Sequence, residues 1–385
     1  MSCAAQTAYP KLTVHDPLSA PLCTTPTLQA AWDRLAAGAV EPNPFAESWF
    51  MLPGLRLFDG DAKARLFALW QSEGELAGLI ALAPARRYGR FPVTHSENWV
   101  HPNCFLGTPL ILPGWEETFW AALLDALDKA RIAHPLLYLV GMVEDGPVCG
   151  ALCAVAAREG RGCDIVLRES RAMVQTDIPA QDYWDRHVRG KKRKELRRQA
   201  ARLAELGPMR FERLAKGDDV DAWATRFLAL ERTGWKGEEG SALGSDARTA
   251  GFFRDVLEGA HRHGQLDGLT LWLGDKPIAM LCHFLSGRGG FSFKTAYDEG
   301  YARYSPGVLI QRENLELLAA RGLDWIDSCA AQNHSMINSL WAERRAIVRI
   351  AVAVGGPRHR LIFKSIRALE RLRAWTKRPK AEQKG

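Results

Sequence analysis

The stretch FSFKTAYDEGYARYSPG, residues 291–307, joins a predicted strand to a predicted helix and decides the fold. It ends in Ser305-Pro306, and serine is a favoured helix N-cap while proline is a favoured first helical residue. We therefore predict a crossover helix from Pro306 to Arg321 and, after it, a strand from Leu323 to Ser328. A strand, a helix and a second strand in this order form a β-α-β unit.

The residues before this unit extend the pattern into a complete domain. Helices capped by Asp218 and Asp246 precede three predicted strands, Leu269–Leu273, Ile278–Leu285 and Phe291–Tyr297. The first half of the chain repeats the same order more weakly. The sequence thus predicts an α+β fold class with two tandem domains, each a mixed, mostly antiparallel sheet flanked by helices.

A length of 385 residues suits two domains. The predicted organisation has five parts, which are a flexible N-terminal arm (1–25), an N-terminal domain (26–170), a basic inter-domain segment (171–210), a C-terminal domain (211–356), and a basic amphipathic C-terminal helix and tail (357–385).

The composition excludes several classes of protein. With 47% hydrophobic and 25% charged residues, the chain is neither disordered nor collagen-like. We find no apolar run long enough to span a bilayer and no signal peptide, so we expect a cytoplasmic protein. The eight cysteines form no CxxC pair, which predicts reduced thiols and no metal.

The net charge of +7 is concentrated in two stretches. Residues 186–202 carry nine basic side chains and one acid, a pattern that suits RNA phosphates, nucleotide phosphates or a solvated helix face. In the C-terminal stretch 358–385, basic residues accompany an apolar helical stripe, which is Ile362, Ile366, Leu369, Leu372 and Trp375. It fits an interfacial helix on anionic lipid, at the inner face of a membrane, and packing on the protein equally well.

The start of the crossover helix is a candidate phosphate site. Gly307 is unfavourable inside a helix, and the absence of a side chain there would let a ligand approach the N–H groups of Gly307, Val308 and Leu309. The alternative is a loop that only starts a helix. The equivalent helix of the first half begins with Glu116 and Glu117, which would repel a phosphate, so we expect the ligand in the second domain and no catalysis in the first.

The arrangement of Lys294, Tyr297 and Asp298 followed by Ser305-Pro306-Gly307 resembles the tandem GNAT-superfamily acyltransferases of the CelD-like branch. These are relatives of the Fem-type aminoacyltransferases of peptidoglycan bridges. The resemblance extends more weakly over residues 40–355 and includes PNPF at 42–45. It implies a GNAT-like fold in both halves and transfer of an acyl group, from acetyl-CoA or another acyl-CoA, to an amine.

That chemistry needs a base for the ammonium proton and groups that hold the acceptor. His283 and Asp298 are competing candidates for the base, although the first also suits a buried core position and the second a turn. Lys294 suits an anionic acceptor or a phosphate, Tyr297 lies where strand meets helix, and Asp327 would orient the amine or act as a structural acceptor.

The resemblance places the donor along Tyr304, Ser305, Gly307, Val308 and Leu309. Many GNAT enzymes have a tyrosine just after the second splayed strand, whereas this chain has AAQNH at 330–334. Protonation of the leaving thiolate then falls to Tyr304, His334 or water.

A glycine-rich connection at 234–245 is the expected lid over the acceptor. Trp235 and Lys236 within it are the candidate substrate-binding residues. The tryptophan would stack on a sugar or an aliphatic chain, or else cap the preceding helix.

The sequence thus favours an acyl-CoA-dependent N-acyltransferase that acts by direct attack of an amine of a small molecule, an amino sugar or a cell-envelope precursor. Cys282 and Cys329 have no evident base beside them to form a covalent carrier. The alternatives are an aminoacyl-tRNA-dependent Fem-type transferase and a non-catalytic accessory protein of envelope polysaccharide synthesis.

Overall fold

A computed structural model describes residues 9–18, 26–61, 63–130, 134–233 and 243–376. The described chain divides into two compact units. Unit 1 takes its residues from Met1–Ala31, Ala62–Arg168 and Val348–Gly385, and unit 2 from Trp32–Asp61 and Glu169–Ile347.

The strands and helices are numbered in chain order. The strands are β1 (Lys11–His15), β2 (Arg65–Ser72), β3 (Glu75–Ala85), β4 (His95–Asn98), β5 (Leu110–Ile111), β6 (Leu136–Val143), β7 (Cys163–Gln175), β8 (Met209–Arg213), β9 (Leu266–Leu273), β10 (Lys276–Ser286), β11 (Gly289–Tyr297), β12 (Trp325–Asp327) and β13 (Glu343–Ala353). The helices are α1 (Pro26–Gly38), α2 (Ser48–Phe58), α3 (Glu116–Lys129), α4 (Pro147–Arg158), α5 (Ala180–His187), α6 (Gly190–Ala204), α7 (Val220–Arg232), α8 (Ala247–Arg262), α9 (Pro306–Asn314), α10 (Leu317–Arg321), α11 (Ser335–Asn338) and α12 (Pro357–Thr376).

Unit 1 is built on strands in the order β1-β2-β3-β4-β6-β13-β7, with β5 paired to β3. Its sheet is mixed, because β4 and β6 run parallel while β1, β2 and β3 are antiparallel to their neighbours. Strand β1 lies within the segment predicted as a flexible arm, and it pairs with β2 over all five of its residues. The prediction for residues 11–15 was therefore wrong: the sequence KLTVH alternates polar and apolar residues as a strand does, but over only five positions.

Unit 2 has the strand order β13-β7-β12-β11-β10-β9-β8. Strands β9, β10 and β11 form the predicted antiparallel meander, and β11 and β12 are parallel. Strand β8, which the sequence analysis did not predict, pairs antiparallel with β9. Strands β7 and β13 each contribute residues to both units, since the division falls after Arg168 and after Ile347. The α+β architecture predicted from the sequence is confirmed.

The segment Trp32–Asp61 belongs to unit 2, although the sequence assigned residues 26–170 to the first domain. The Asn43 side chain accepts a hydrogen bond from the Phe45 N–H at 3.0 Å and fixes a short 3-10 turn. The Phe45 ring then packs edge-on against Phe284 and Phe291, with ring centroids 6.4 and 5.9 Å apart. These aromatic contacts place the PNPF motif in the core of unit 2.

The crossover helix differs from its prediction at its C-terminal half. It is divided at Leu315 and Glu316 into α9 and α10, and Gly322 ends α10 in a left-handed conformation with φ 61°. Helix α12 starts as predicted and belongs to unit 1. Within the described ranges, no helix has both the length and the apolar composition that a membrane span requires.

Candidate active site

The start of α9 is formed by a strained residue. Ser305 has φ 54° and ψ 50°, and its side chain makes no capping hydrogen bond. Its carbonyl instead accepts hydrogen bonds from the N–H groups of Val308, at 2.9 Å, and Leu309, at 3.1 Å. The prediction that these two amides are free for a phosphate is therefore wrong, because the helix closes on its own N-cap carbonyl.

Gly307 is buried, and two side chains cover it. A methyl group added at this position would lie 3.4 Å from the Tyr297 ring and 3.9 Å from the Met336 sulfur. Both distances are ordinary van der Waals contacts. The two side chains therefore fill the space beside Gly307, which does not open to solvent. The predicted opening at Gly307 is absent from this part of the described chain.

Tyr304 also lies in the core and not along a ligand groove. Its side chain is buried in a cluster with Leu309, Ile310 and the partly buried Tyr297. The Arg303 guanidinium lies 4.7 Å from the centroid of its ring. Tyr304 is thus poorly placed to protonate a leaving thiolate.

His283 is fully buried on β10. Its Nε2 atom lies 2.9 Å from the Ser292 hydroxyl and 3.2 Å from the Asn314 side-chain nitrogen. Burial, together with the charge of Arg213, lowers the pKa of His283 to about 3. A histidine with so low a pKa and no exposure is a hydrogen-bonded core residue, as the alternative interpretation of the sequence stated.

Asp298 is a cap and an ion-pair partner. One of its carboxylate oxygens accepts a hydrogen bond from the Gly300 N–H at 2.9 Å, and the other lies 2.7 Å from the Lys276 ammonium. Lys294 is partly buried on β11, in register with Cys282, and its ammonium lies 5.4 Å from the centroid of the Phe293 ring. The structure therefore supports a turn role for Asp298.

Asp327 is completely buried between two arginines. Its Oδ2 atom lies 3.2 Å from Arg345 and 3.7 Å from Arg171, and its Oδ1 atom accepts the Cys329 N–H at 2.8 Å. The Arg345 guanidinium stacks on Trp325 at 4.4 Å from the ring centroid. The sequence left two roles open for Asp327, and the structure supports the second, that of a structural hydrogen-bond acceptor.

Strands β11 and β12 separate as a GNAT-like fold requires. They pair only from Gly289 to Phe291 against Trp325 to Asp327, whereas β11 continues for six more residues to Tyr297. Beyond that point the chain after β12 stays with β7, its other neighbour, because the Ser328 N–H bonds the Ala172 carbonyl at 3.1 Å and continues the antiparallel register. The two strands therefore diverge next to the helix start.

A cleft that the sequence did not predict lies beside this helix start. We call it the basic cleft; α5, α6 and α9 supply its lining, which is Gln181, Trp184, Asp185, Arg193, Leu196, Arg197, Val308, Leu309 and Arg312. Its three arginines come from two helices and face one acid, so the cleft carries a net positive charge.

The arginines of the basic cleft differ in how they are held. Arg193 forms an ion pair with Asp185. Arg312 donates a hydrogen bond of 2.8 Å to the Gln181 side-chain oxygen and lies over the Trp184 ring. For Arg197, no ion pair is recorded within the described ranges. Two positioned guanidinium groups and one unpaired one form a site suited to an anion such as a phosphate.

Sequence reasoning missed the basic cleft although its signals were present. The basic run 186–202 and the absence of an acid before Glu313 in the crossover helix were both visible. What the sequence could not show is that α6 lies against α9 with Arg193 and Arg197 turned toward it.

The remaining predicted site residues either lie outside the described ranges or have positions that do not favour a catalytic role. Trp235 and Lys236 lie outside the described residues. His334 is exposed and caps the short helix α11, where its ring nitrogen accepts the Ile337 N–H at 3.4 Å. Burial raises the pKa of the Cys282 and Cys329 thiols well above the usual value, which disfavours a covalent thioester carrier.

No cluster of three or more histidine, cysteine or acidic side chains that could hold a metal occurs in the residues with described positions.

Residues 190–334 match the family model described as an acetyltransferase (GNAT) domain. Among curated proteins, none matches the sequence significantly.

Solved structures share the fold at low sequence identity. FemX is 11% identical over 87% of this chain and 98% of its own, with a TM-score of 0.59. The C-terminal domain of a protein described as a lysylphosphatidylglycerol synthetase, from Agrobacterium fabrum, is 12% identical, with 89% and 95% covered and a TM-score of 0.53. L-PGS from Bacillus licheniformis is 14% identical, with 90% and 95% covered and a TM-score of 0.50.

These findings confirm a GNAT domain in residues 190–334 and a fold of the chain like that of FemX. The acetyltransferase domain within unit 2, together with this fold, supports a transferase.

Proposed function

We propose that the protein is an N-acyltransferase that takes its acyl group from an acyl-CoA and binds the phosphates of that donor in the basic cleft. The observation that carries this proposal is the convergence of Arg193, Arg197 and Arg312 beside the helix that follows the diverging strands β11 and β12. The donor thioester would lie where the strands separate, while its charged end reaches the arginines.

The cleft fits a phosphorylated donor better than the helix terminus does. The amides of Val308 and Leu309 are already bonded to Ser305, so they cannot hold a pyrophosphate without rearrangement of the helix start. Guanidinium groups bind phosphate oxygens through charge-assisted hydrogen bonds, and such bonds are about twice as strong as neutral ones. The proposal therefore moves the phosphates from the backbone to the side chains of α6 and α9.

The transfer would proceed by direct attack. The amine nitrogen forms a bond to the thioester carbonyl carbon, the carbon–sulfur bond breaks, and the thiol leaves with the proton that the amine loses. Before the attack, the ammonium form of the acceptor loses one proton to water, since His283 is buried and Asp298 is engaged with Lys276. The proton that the thiol takes is the second one, which the nitrogen loses after the new bond has formed. The buried thiols of Cys282 and Cys329 take no part.

Titration calorimetry with acetyl-CoA tests the proposal. Arg197→Gln removes a cation from the cleft without breaking a recorded ion pair, and we expect binding to weaken by about tenfold, which corresponds to about 1.4 kcal/mol. Arg198→Gln is the matched control, because Arg198 is on the same helix but pairs with Glu195 at 2.6 Å and does not line the cleft.

We expect the control to bind acetyl-CoA like the wild-type protein. If the wild-type protein shows no binding, or if Arg197→Gln binds as tightly as Arg198→Gln, the proposed donor site is wrong.

A second candidate function is aminoacyl-tRNA-dependent transfer. It is favoured by α6 itself, which presents further exposed cations outside the cleft, Lys191, Lys194, Arg198 and Arg202. RNA binding that falls steeply with salt and is lost when Lys191, Lys192 and Lys194 are neutralised would favour this candidate over an acyl-CoA donor. The absence of binding to either donor would favour the non-catalytic accessory role.

The acceptor we propose is a primary amine on a small molecule, an amino sugar or a cell-envelope precursor, at a cytoplasmic site. FemX and the C-terminal domain of a protein described as a lysylphosphatidylglycerol synthetase share the fold, which is compatible with all of these acceptors. The fold alone does not identify the acceptor.

A further inference from the structure

Helix α12 is held on unit 1 by one of its sides. Phe363 and Ile366 are buried in a core cluster with Tyr88, Leu136 and Ala351. Arg367 and Arg371 bond the Asp164 carboxylate at 2.9 and 3.0 Å. These contacts fix the rotation of the helix about its axis.

The same rotation leaves a second apolar side uncovered. Its members, Leu361, Ile362, Leu369 and Leu372, are between 41% and 66% exposed. At 100° per residue these four positions fall within about 100° of one another around the helix. We call them the leucine stripe. Four large aliphatic side chains in line on one helix differ from the scattered apolar residues of an ordinary surface.

Cations accompany the stripe. Arg358 lies on the same side in the first turn, and Lys364 borders the stripe nearly two turns further. Both are exposed, and neither has an ion pair recorded within the described ranges. The only acid of α12 is Glu370, which bonds Arg367 and Tyr88 on the protein side. An apolar strip with cations beside it and no acid on its own side is complementary to an anionic bilayer surface.

We propose that α12 is a membrane-docking element, which inserts the leucine stripe between the headgroups of an anionic lipid surface while its other side stays packed on unit 1. The inference does not depend on the transferase chemistry, because it uses no residue of the basic cleft.

Co-flotation with vesicles tests this proposal. Vesicles of phosphatidylglycerol and phosphatidylcholine serve as the anionic surface, and pure phosphatidylcholine as the neutral one. We expect the wild-type protein to float with the anionic vesicles, to bind neutral vesicles far less, and to be released by salt. The variant Leu361→Ser/Leu369→Ser/Leu372→Ser should bind about tenfold more weakly or worse, since three aliphatic side chains no longer leave water.

A matched variant shows whether any loss is specific. Val14→Ser/Leu167→Ser/Leu206→Ser also removes three exposed aliphatic side chains, between 41% and 53% exposed, from other elements. It should bind vesicles like the wild-type protein. Thermal melts of both variants verify folding, and Arg358→Glu/Lys364→Glu should abolish the preference for anionic vesicles while all apolar residues remain.

Three results would overturn the proposal. The first is the absence of wild-type binding to anionic vesicles, and the second is equal binding by the stripe variant. The third is a concentration-dependent dimer that the stripe variant abolishes, without vesicle binding, which would identify a second copy of this chain as the occupant of the stripe.

Discussion

At the residue scale, the candidate catalytic groups illustrate how burial decides the role of a titratable side chain. His283 was a reasonable base on the sequence, since an unperturbed imidazole titrates near neutral pH. What removes that role is its complete burial on β10, which the continuous apolar residues on either side of it already suggested. Asp298 and Asp327 are likewise structural, because each accepts a backbone hydrogen bond and has a cationic partner.

The buried His283 gives the protein a specific acid sensitivity. Its folded pKa of about 3 lies below that of an unfolded histidine, so the unfolded state binds the proton first and stability falls as the pH drops below about 6.5 towards 3. Between pH 7 and pH 4 this group alone accounts for a loss of about 3 kcal/mol.

His283→Gln cannot be protonated, and we expect its unfolding free energy to fall less over the same range, in urea titrations at both pH values. An identical pH dependence in the wild-type protein and the variant would show that the imidazole is accessible and titrates normally.

At the element scale, the sequence specified helix α9 better at its start than along its length. Ser305-Pro306 fixed the first helical residue, and strand β11 ends at Tyr297 as predicted. The division at Leu315 and Glu316 carries no proline or glycine, so local patterns could not reveal it. Neither could they reveal that Tyr297 and Met336 cover Gly307, since these contacts depend on how separate elements pack.

Gly307→Ala distinguishes a covered helix start from an open one. Alanine is favoured over glycine inside a helix by about 1 kcal/mol, and its methyl group would meet the Tyr297 ring at an ordinary contact distance. We therefore expect the variant to be as stable as the wild-type protein, or more stable by up to about 1 kcal/mol, in denaturant titrations.

Acetyl-CoA affinity should also be unchanged in Gly307→Ala, with Arg197→Gln as the positive control for lost binding. A large loss of affinity in the glycine variant would restore the backbone amides of α9 as the phosphate site.

At the scale of the whole molecule, tandem architecture and the two-unit organisation followed from repeated element order, whereas the unit boundaries did not. Residues 32–61 join unit 2 through ring contacts with strands more than 200 positions later in the sequence. Contacts of that separation leave no local signal. The uneven distribution of basic residues along the sequence, in contrast, did indicate two cationic surfaces. These are the basic cleft, which includes part of α6, and the cationic side of α12.

Phe45→Ala tests whether residues 32–61 are an integral part of unit 2. Its ring contacts Phe50, Phe284, Phe291 and Phe293, so truncation should cost about 3–5 kcal/mol. Hydrogen exchange should accelerate in β10 and β11 and remain unchanged in β2 and β3. Faster exchange confined to residues 32–61 would mean that the segment is only an appendage.

The division of β7 and β13 between the units has a consequence for how the protein is made. Everything that unit 2 needs has left the ribosome once residue 347 has emerged, but unit 1 still lacks the last part of β13 and the whole of α12. Unit 2 can therefore be completed before unit 1, although residues of unit 1 precede it in the sequence, and the sheet of unit 1 waits for the last residues of β13.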